Sequence, residues 1–293
     1  MGSNTNKVIS SLGWSSLSSG LNYFILLART FVLVRFLAPS DFGLMALSLL
    51  LVTVIKQFSS IGLEQAIIQD DHLQKKTINT VWTVSIIRGI LFFLLINFIS
   101  PFYANFFDDL RLIEILTIIS FATILNGFKN SYLSVAQKEL QFEKLFKVSS
   151  VSVLIEFMVT IALAIIYKDV IALAFGYLTG SFIGLLMSFL IFIEKPKISF
   201  HYEEFKRLFN FGKWIFGGGI LIFITVNLDT SVIGKLLGAT LLGYYSIAFR
   251  FANFAATDIV LTFSQSIYPS FSLVKDDKQL LKDYFLNTLI IIS

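Results

Sequence analysis

Cysteine is absent from this chain. No disulfide, thiolate zinc site or cysteine nucleophile is therefore open to it. Histidine is almost absent. His72 and His201 both fall in polar segments between apolar runs, too few for a metal centre and with no Ser/Asp arrangement for nucleophilic catalysis. Charge is scarce as well: 14% of residues are Asp, Glu, Lys or Arg, where soluble domains carry about 25%. The net charge of +4 comes from basic residues scattered among loops rather than gathered on one face, which argues against a nucleic-acid partner. What the chain does have is apolar surface, with 56% hydrophobic residues and a mean hydropathy of +0.79. A water-soluble fold cannot hide that much. The composition is that of an integral membrane protein, whose helices need about 20 mostly apolar residues per crossing.

Apolar runs predict spans near 11–36, 42–68, 78–103, 111–135, 147–167, 170–193, 211–234 and 241–270, with a ninth beginning near 280. Stretches such as GILFFLLINFI are apolar on every side and lack the alternation of a barrel strand. Helices also satisfy their own backbone groups, which lipid cannot do. The first run follows Lys7, is too long for a signal peptide and ends without a small-x-small cleavage site, so it reads as an uncleaved helix. With this alternation, fourteen Lys and Arg lie on the side of the N-terminus. Only Arg35, Arg111, Lys168 and Lys235 lie on the other. The positive-inside rule then places the N-terminus in the cytoplasm.

Residues 12–50 overlie residues 212–250 without a gap. Trp14 meets Trp214, Thr30 meets Thr230, Gly43 meets Gly243, and Arg35 meets Lys235. Six spans separate the copies. An even number means that both enter the membrane from the same side, related by a pseudo-two-fold axis along its normal. This is the parallel-repeat plan of transporters, with a substrate site between the halves. The intervening EKPKISFHYEEFKRLFNFGKW is polar and basic, and reads as a linker plus an amphipathic helix on the membrane surface.

The stretches FLAPSDFGLMAL and NLDTSVIGKLLGATLLGYYSIAFRFA resemble the polysaccharide-exporter (Wzx-type) branch of the MOP flippase superfamily. The resemblance implies an all-α, polytopic membrane helical bundle of MOP/MATE type, made of two six-helix lobes around a cleft. It implies translocation of undecaprenyl-diphosphate-linked oligosaccharide across a bacterial inner membrane by alternating access. No cofactor is implied, and glycan polymerases or glycosyltransferases are possible partners. On this plan residues 1–195 form a complete N-terminal lobe, 196–210 a cytoplasmic amphipathic linker, and 211–293 an incomplete C-terminal lobe. The second lobe stops after about two and a half helices, so the chain is expected to be a fragment or to need a partner that completes the cleft.

Arg29, Lys56, Glu64, Arg88, Lys129, Glu156, Asp229, Arg250 and Asp258 fall within predicted spans. A charge at mid-helix costs about 2.5–3.5 kcal/mol on insertion scales, so such residues face water or a partner. By resemblance, helices 1, 2, 7 and 8 line the cleft. Arg29, Lys56, Arg88 and Arg250, with Asp229, then become candidate ligands for a diphosphate head group, whose oxygens match guanidinium donors. Structural pairing is the competing account, and Arg29 and Asp229, at equivalent repeat positions, would face each other. Lys129, Glu64, Glu156 and Asp258 read more readily as snorkelling or paired groups. Gly176, Gly180 and Gly184 lie on one helix face and favour close packing. Gly217–Gly219 lack the Lys-Ser/Thr of a phosphate loop.

Two other functions stay open. An organic-cation antiporter of the same superfamily would centre on Asp229, Glu156 and Asp258. A non-transporting scaffold of a glycan-assembly complex would need no site at all. Enzyme readings lack parts: the Asp70-Asp71, Asp108-Asp109 and Asp276-Asp277 pairs alternate between membrane sides and cannot form one centre.

Overall fold

The structure, a computed structural model, describes residues 2–58, 67 and 73–253. Within them the chain forms eight α-helices and no strand: α1 (Gly2–Leu33), α2 (Pro39–Phe58), α3 (Lys75–Phe106), α4 (Arg111–Phe128), α5 (Tyr132–Lys138), α6 (Phe142–Tyr167), α7 (Ile171–Ile191) and α8 (Tyr202–Asn253). Six helical stretches are long and apolar enough to cross a bilayer, and Gly20–Leu33 of α1 adds a shorter one. The protein is an all-α, multi-pass membrane bundle. Glu64, Asp258, the ninth span and the Asp276-Asp277 pair lie outside the described residues.

The predicted breaks hold in outline and shift in detail. The fourth span ends at Phe128 rather than near 135, because Lys129 leaves helical geometry and a separate short α5 follows. The seventh and eighth spans are two helical stretches of α8 that meet at a kink at Gly238, with φ 79° and ψ 174°, a conformation that a side chain would strain. Residue 38, the repeat equivalent of 238, also lies outside the helices. There Pro39 produces the break, since a residue preceding proline is pushed out of the helical region. The same corner is made by two different chemistries.

Call the end of the bundle where α1 begins the near end, and the other the far end. The far end is packed solid. Leu33, Leu37, Phe42, Leu44, Ala104, Leu112, Ala164, Val170 and Leu242 belong to one buried cluster drawn from α1, α2, α3, α4, α6, α7, α8 and their turns. There α2 lies against α8. A Cβ on Gly43 would overlap the Ala239 carbonyl, and one on Gly243 would overlap the Pro39 carbonyl. The two contacts are reciprocal, because 43 and 243, and 39 and 239, are each 200 residues apart. Lys235 adds a tie to the same end, donating to the Phe106 carbonyl (2.6 Å) and pairing with Asp108 (2.8 Å).

Several hydroxyl groups at bilayer depth are satisfied within their own helix. Thr30, Ser48, Thr117 and Thr160 each donate to the carbonyl four residues back. Pro101, inside α3, leaves the Asn97 carbonyl without its helical amide. The Ser100 hydroxyl takes that place at 3.0 Å, the kind of repair that lets proline sit in a transmembrane helix. Helices α3 and α4 close on each other at Gly89 and Gly127, where a Cβ on Gly89 would stand 3.2 Å from the Gly127 Cα. Outward faces carry Phe24, Phe98, Phe102 and Leu190, all exposed, as a lipid-facing surface requires.

At the near end, the segment Phe192–His201 between α7 and α8 is extended and bound to α3. Backbone amides of Lys197, Ser199 and His201 donate to Asn79 (2.9 Å), Thr83 (3.0 Å) and Thr80 (3.1 Å). The amphipathic helix expected here begins only at Tyr202, as the first turns of α8. Glu204 finishes the attachment, accepting from Thr77 (2.9 Å) and pairing with Lys76 and Arg207. Burial alone would raise the Glu204 carboxyl, but these three donors outweigh it and hold it below the usual glutamate range.

Candidate functional site

A cavity of about 550 Å³ opens in the near half of the bundle, within the roughly 300–1,000 Å³ usual for small-molecule sites. Lys56 of α2 forms one wall. Asn126 and Lys129, at the end of α4, face α6 and its Ser149, Ser152 and Glu156, while Tyr177, Gly180, Ser181 and Gly184 of α7 close the back. Helix direction gives the depth: Ser149 lies toward the mouth and Glu156 about 10 Å further in, at 1.5 Å per residue.

Glu156 marks the floor. Its carboxylate is ion-paired with the Arg29 guanidinium of α1, and both side chains are largely hidden, at 18% and 14% exposure. Arg29 does not itself line the cavity; it stands behind Glu156. Thr30, next in the chain, accepts from the Arg250 guanidinium at 3.1 Å while donating to Leu26 at 2.8 Å. Through this bridge the second half of the chain reaches the site, and Arg250 lies within electrostatic range of Arg29.

The candidate residues separate accordingly. Lys56 lies in the cavity wall, Arg29 behind its floor, and Arg250 beyond Thr30. Asp229 is elsewhere: it accepts from the Tyr245 hydroxyl and from Thr230 on its own helix. Arg29 thus pairs with Glu156 and not with its repeat equivalent Asp229. Gly43 and Gly243 do meet where α2 packs on α8, whereas Arg29 and Asp229 are each held by other partners. Arg88 does not reach the cavity. It stands on α3 with its guanidinium 5.9 Å from the Phe92 ring centroid.

Glu156 and Lys129 also line the cavity, and Glu156 is paired there with Arg29, as its place within a span suggested. The sequence signal for Glu156 is a polar stripe along α6, Ser149–Ser152–Glu156–Thr160, at three- and four-residue spacing. The glycines of α7 are its complement. They pack α7 on α6 as expected, and they also make room for charge. A Cβ on Gly180 would stand 2.5 Å from Glu156 Oε2, and one on Gly184 would stand 3.0 Å from Lys129 Nζ. Among the described residues no group of three or more His, Asp or Glu gathers to hold a metal ion.

The chain is similar to curated bacterial proteins along nearly its whole length. It is 27% identical over 98% of its residues to an uncharacterized membrane protein of the cps region of Klebsiella pneumoniae, covering 60% of that protein. It is 24% identical to the lipopolysaccharide biosynthesis protein WzxC of Escherichia coli K12, over 98% of this chain and 59% of the relative. It is 26% identical to the teichuronic acid biosynthesis protein TuaB of Bacillus subtilis, over 98% of this chain and 60% of the relative. The chain thus spans about three-fifths of the length of the relatives it matches. No solved structure matches it significantly. The polysaccharide biosynthesis protein model matches residues 32–293, and the chain belongs to that family, the polysaccharide-exporter branch of the MOP flippase superfamily.

Proposed function

We propose that this chain serves in moving undecaprenyl-diphosphate-linked oligosaccharide across the bacterial inner membrane by alternating access. The observation that carries the reading is the charge of the cavity: Lys56 and Lys129 in its walls, Arg29 behind its floor, and Glu156 as the acid facing them. That excess of cations suits a diphosphate, which presents several acceptor oxygens to ammonium and guanidinium donors. The relatives' names, in lipopolysaccharide and teichuronic acid biosynthesis, point to the same class of cargo.

On this reading the near end is cytoplasmic, which the distribution of Lys and Arg supports. Cargo enters from that side with its diphosphate in the cavity and its polyprenyl tail in lipid. The packed far end is the closed gate. Residues 1–195 and 211–293 act as two like-oriented bodies joined by 196–210, a division supported by the reciprocal Gly43–Gly243 contact. Outward opening would part α2 from α8 at those glycines. The chain binds and moves its cargo without chemical change, so it is not an enzyme. Polymerases or glycosyltransferases of the same glycan would work beside it. The organic-cation alternative is weaker, because the described acids on which it would centre are occupied: Glu156 by Arg29, and Asp229 by Tyr245 and Thr230.

The test is a flipping assay. Proteoliposomes carrying the chain and a fluorescent polyprenyl-diphosphate oligosaccharide are exposed to a membrane-impermeant quencher. The chain should speed loss of the inner-leaflet signal, and Lys56→Ala with Lys129→Ala should abolish the gain at unchanged reconstitution. Transport untouched by the double substitution removes the cavity from the mechanism.

A further inference from the structure

We propose that Glu156 is the resident counter-ion of this site, holding Arg29 while the cavity is empty and yielding it to the anionic cargo when one arrives. The inference rests on the anionic-cargo reading above and concerns what happens inside that site.

A guanidinium at bilayer depth needs water or a polar or charged partner. For Arg29 that partner is Glu156, and the pair is mostly withdrawn from solvent. The carboxylate is also interposed: it lines the cavity while Arg29 lies behind it. An anion entering from the mouth meets Lys56 and Lys129 first. It reaches Arg29 only if Glu156 moves.

The structure leaves a path for that movement. Glu156 rests against Gly180, where a Cβ would stand 3.0 Å from its own Cβ, and Lys129 rests against Gly184. The two glycines lie one turn apart on α7, about 6 Å along its axis. A carboxylate that leaves Arg29 can swing along this bare track toward the Lys129 ammonium. Groups around Glu156 come from each neighbouring element: Arg29 from α1, Lys56 from α2, Lys129 after α4, the uncharged Ser134 and Gln137 from α5, Tyr177 from α7 and, beyond Thr30, Arg250 from α8. Four are cations, so the displaced carboxylate remains compensated and the exchange needs no proton.

The arrangement serves release as well as capture. A bare arginine would hold a diphosphate through paired, charge-assisted bonds and give it up slowly. A carboxylate competing for the same guanidinium lowers that affinity and takes the arginine back as the cargo leaves. Glu156 is in this sense a positioning residue. It acts on the cargo through Arg29.

Inorganic pyrophosphate is the probe, titrated calorimetrically into the full chain in lipid nanodiscs. Glu156→Gln should bind it roughly tenfold tighter than the unmodified chain, since one charge-assisted competitor, worth about 1.4 kcal/mol at that ratio, is gone. The same variant should turn over lipid-linked cargo more slowly, and Glu156→Asp should restore both values toward normal. Arg29→Gln with Glu156→Gln removes both charges, so no lone ion is left in the membrane, and its melting temperature reports folding independently. This double variant should lose the gain in affinity. Binding to Glu156→Gln no tighter than to the unmodified chain, or a gain that survives loss of Arg29, overturns the exchange while leaving the cargo reading intact. If the unmodified chain and all variants ignore pyrophosphate, the anionic-cargo reading falls first, and the exchange with it.

Discussion

Substituting alanine for Gly43 puts the far-end contact under direct strain. The new Cβ would overlap the Ala239 carbonyl oxygen, with the Ala239 carbonyl carbon at 2.8 Å and the Gly243 nitrogen at 3.0 Å. All three atoms are backbone, so no rotamer change relieves the clash. Carbon contacts are comfortable at about 3.5–4.0 Å, and α2 and α8 must therefore part by roughly 1 Å. Overpacking of this kind costs about 1–3 kcal/mol. Charged to the closed form alone, that is roughly a 5–150-fold shift in population. The absence of native cysteine makes the readout clean. Leu37→Cys places one thiol at a position buried in the far-end cluster. Gly43→Ala should raise its labelling rate by a membrane-impermeant maleimide, and Gly243→Ala should do the same. The double variant should gain less than the sum, because both substitutions strain one contact. Gly13 and Gly20 are the controls: nothing stands within 4 Å of a Cβ at either, and alanine there should be neutral or stabilising. Labelling unchanged by Gly43→Ala, at an unchanged melting temperature, would refute the idea that these glycines seal the far end.

Three further outcomes are expected. Ser100→Ala strips the Asn97 carbonyl of the hydroxyl that replaces the amide missing at Pro101 and should cost about 1 kcal/mol in thermal unfolding; adding Pro101→Ala should recover it by restoring the backbone donor. Glu204 is held below the usual carboxylate range, so its contribution is present above the ordinary glutamate value of 4.5 and lost as pH falls through the lowered folded value. Hydrogen exchange at residues 197–201 should therefore stay slow at pH 7 and pH 5 and rise only on stronger acidification, whereas Glu204→Ala should release the segment at pH 7. Lys235→Ala removes a pair exposed enough to solvent that stability should fall by no more than about 1 kcal/mol, yet Leu37→Cys labelling should still rise, since the Phe106 carbonyl loses its donor.

Much of the bundle was written in the apolar runs, because a lipid-exposed helix must advertise its length residue by residue. The far-end corner was legible too, since Gly43 and Gly243 stand at matching places in two copies of one pattern. Partnerships between helices were less legible. Arg29 could be assigned an acid from the repeat, but the acid it meets depends on which helix lies against α1, and that is α6. Arg88 shows the same limit from the other side. Its depth in the third span suggested the cleft, whereas its direction around the helix sets it beside Phe92. Lys129 shows a third limit. The apolar run places it inside a continuous span, while the chain leaves the helix at that residue and brings the side chain over Gly184.

The stitching of residues 197–201 to the first turns of α3 removes slack from the covalent link between α7 and α8. A tether with no free length cannot absorb displacement, so any tilt of α8 is levered straight onto α3. If the copies swing apart at the far end, the fulcrum belongs at this seam, and loosening it should uncouple the motion of one copy from the other.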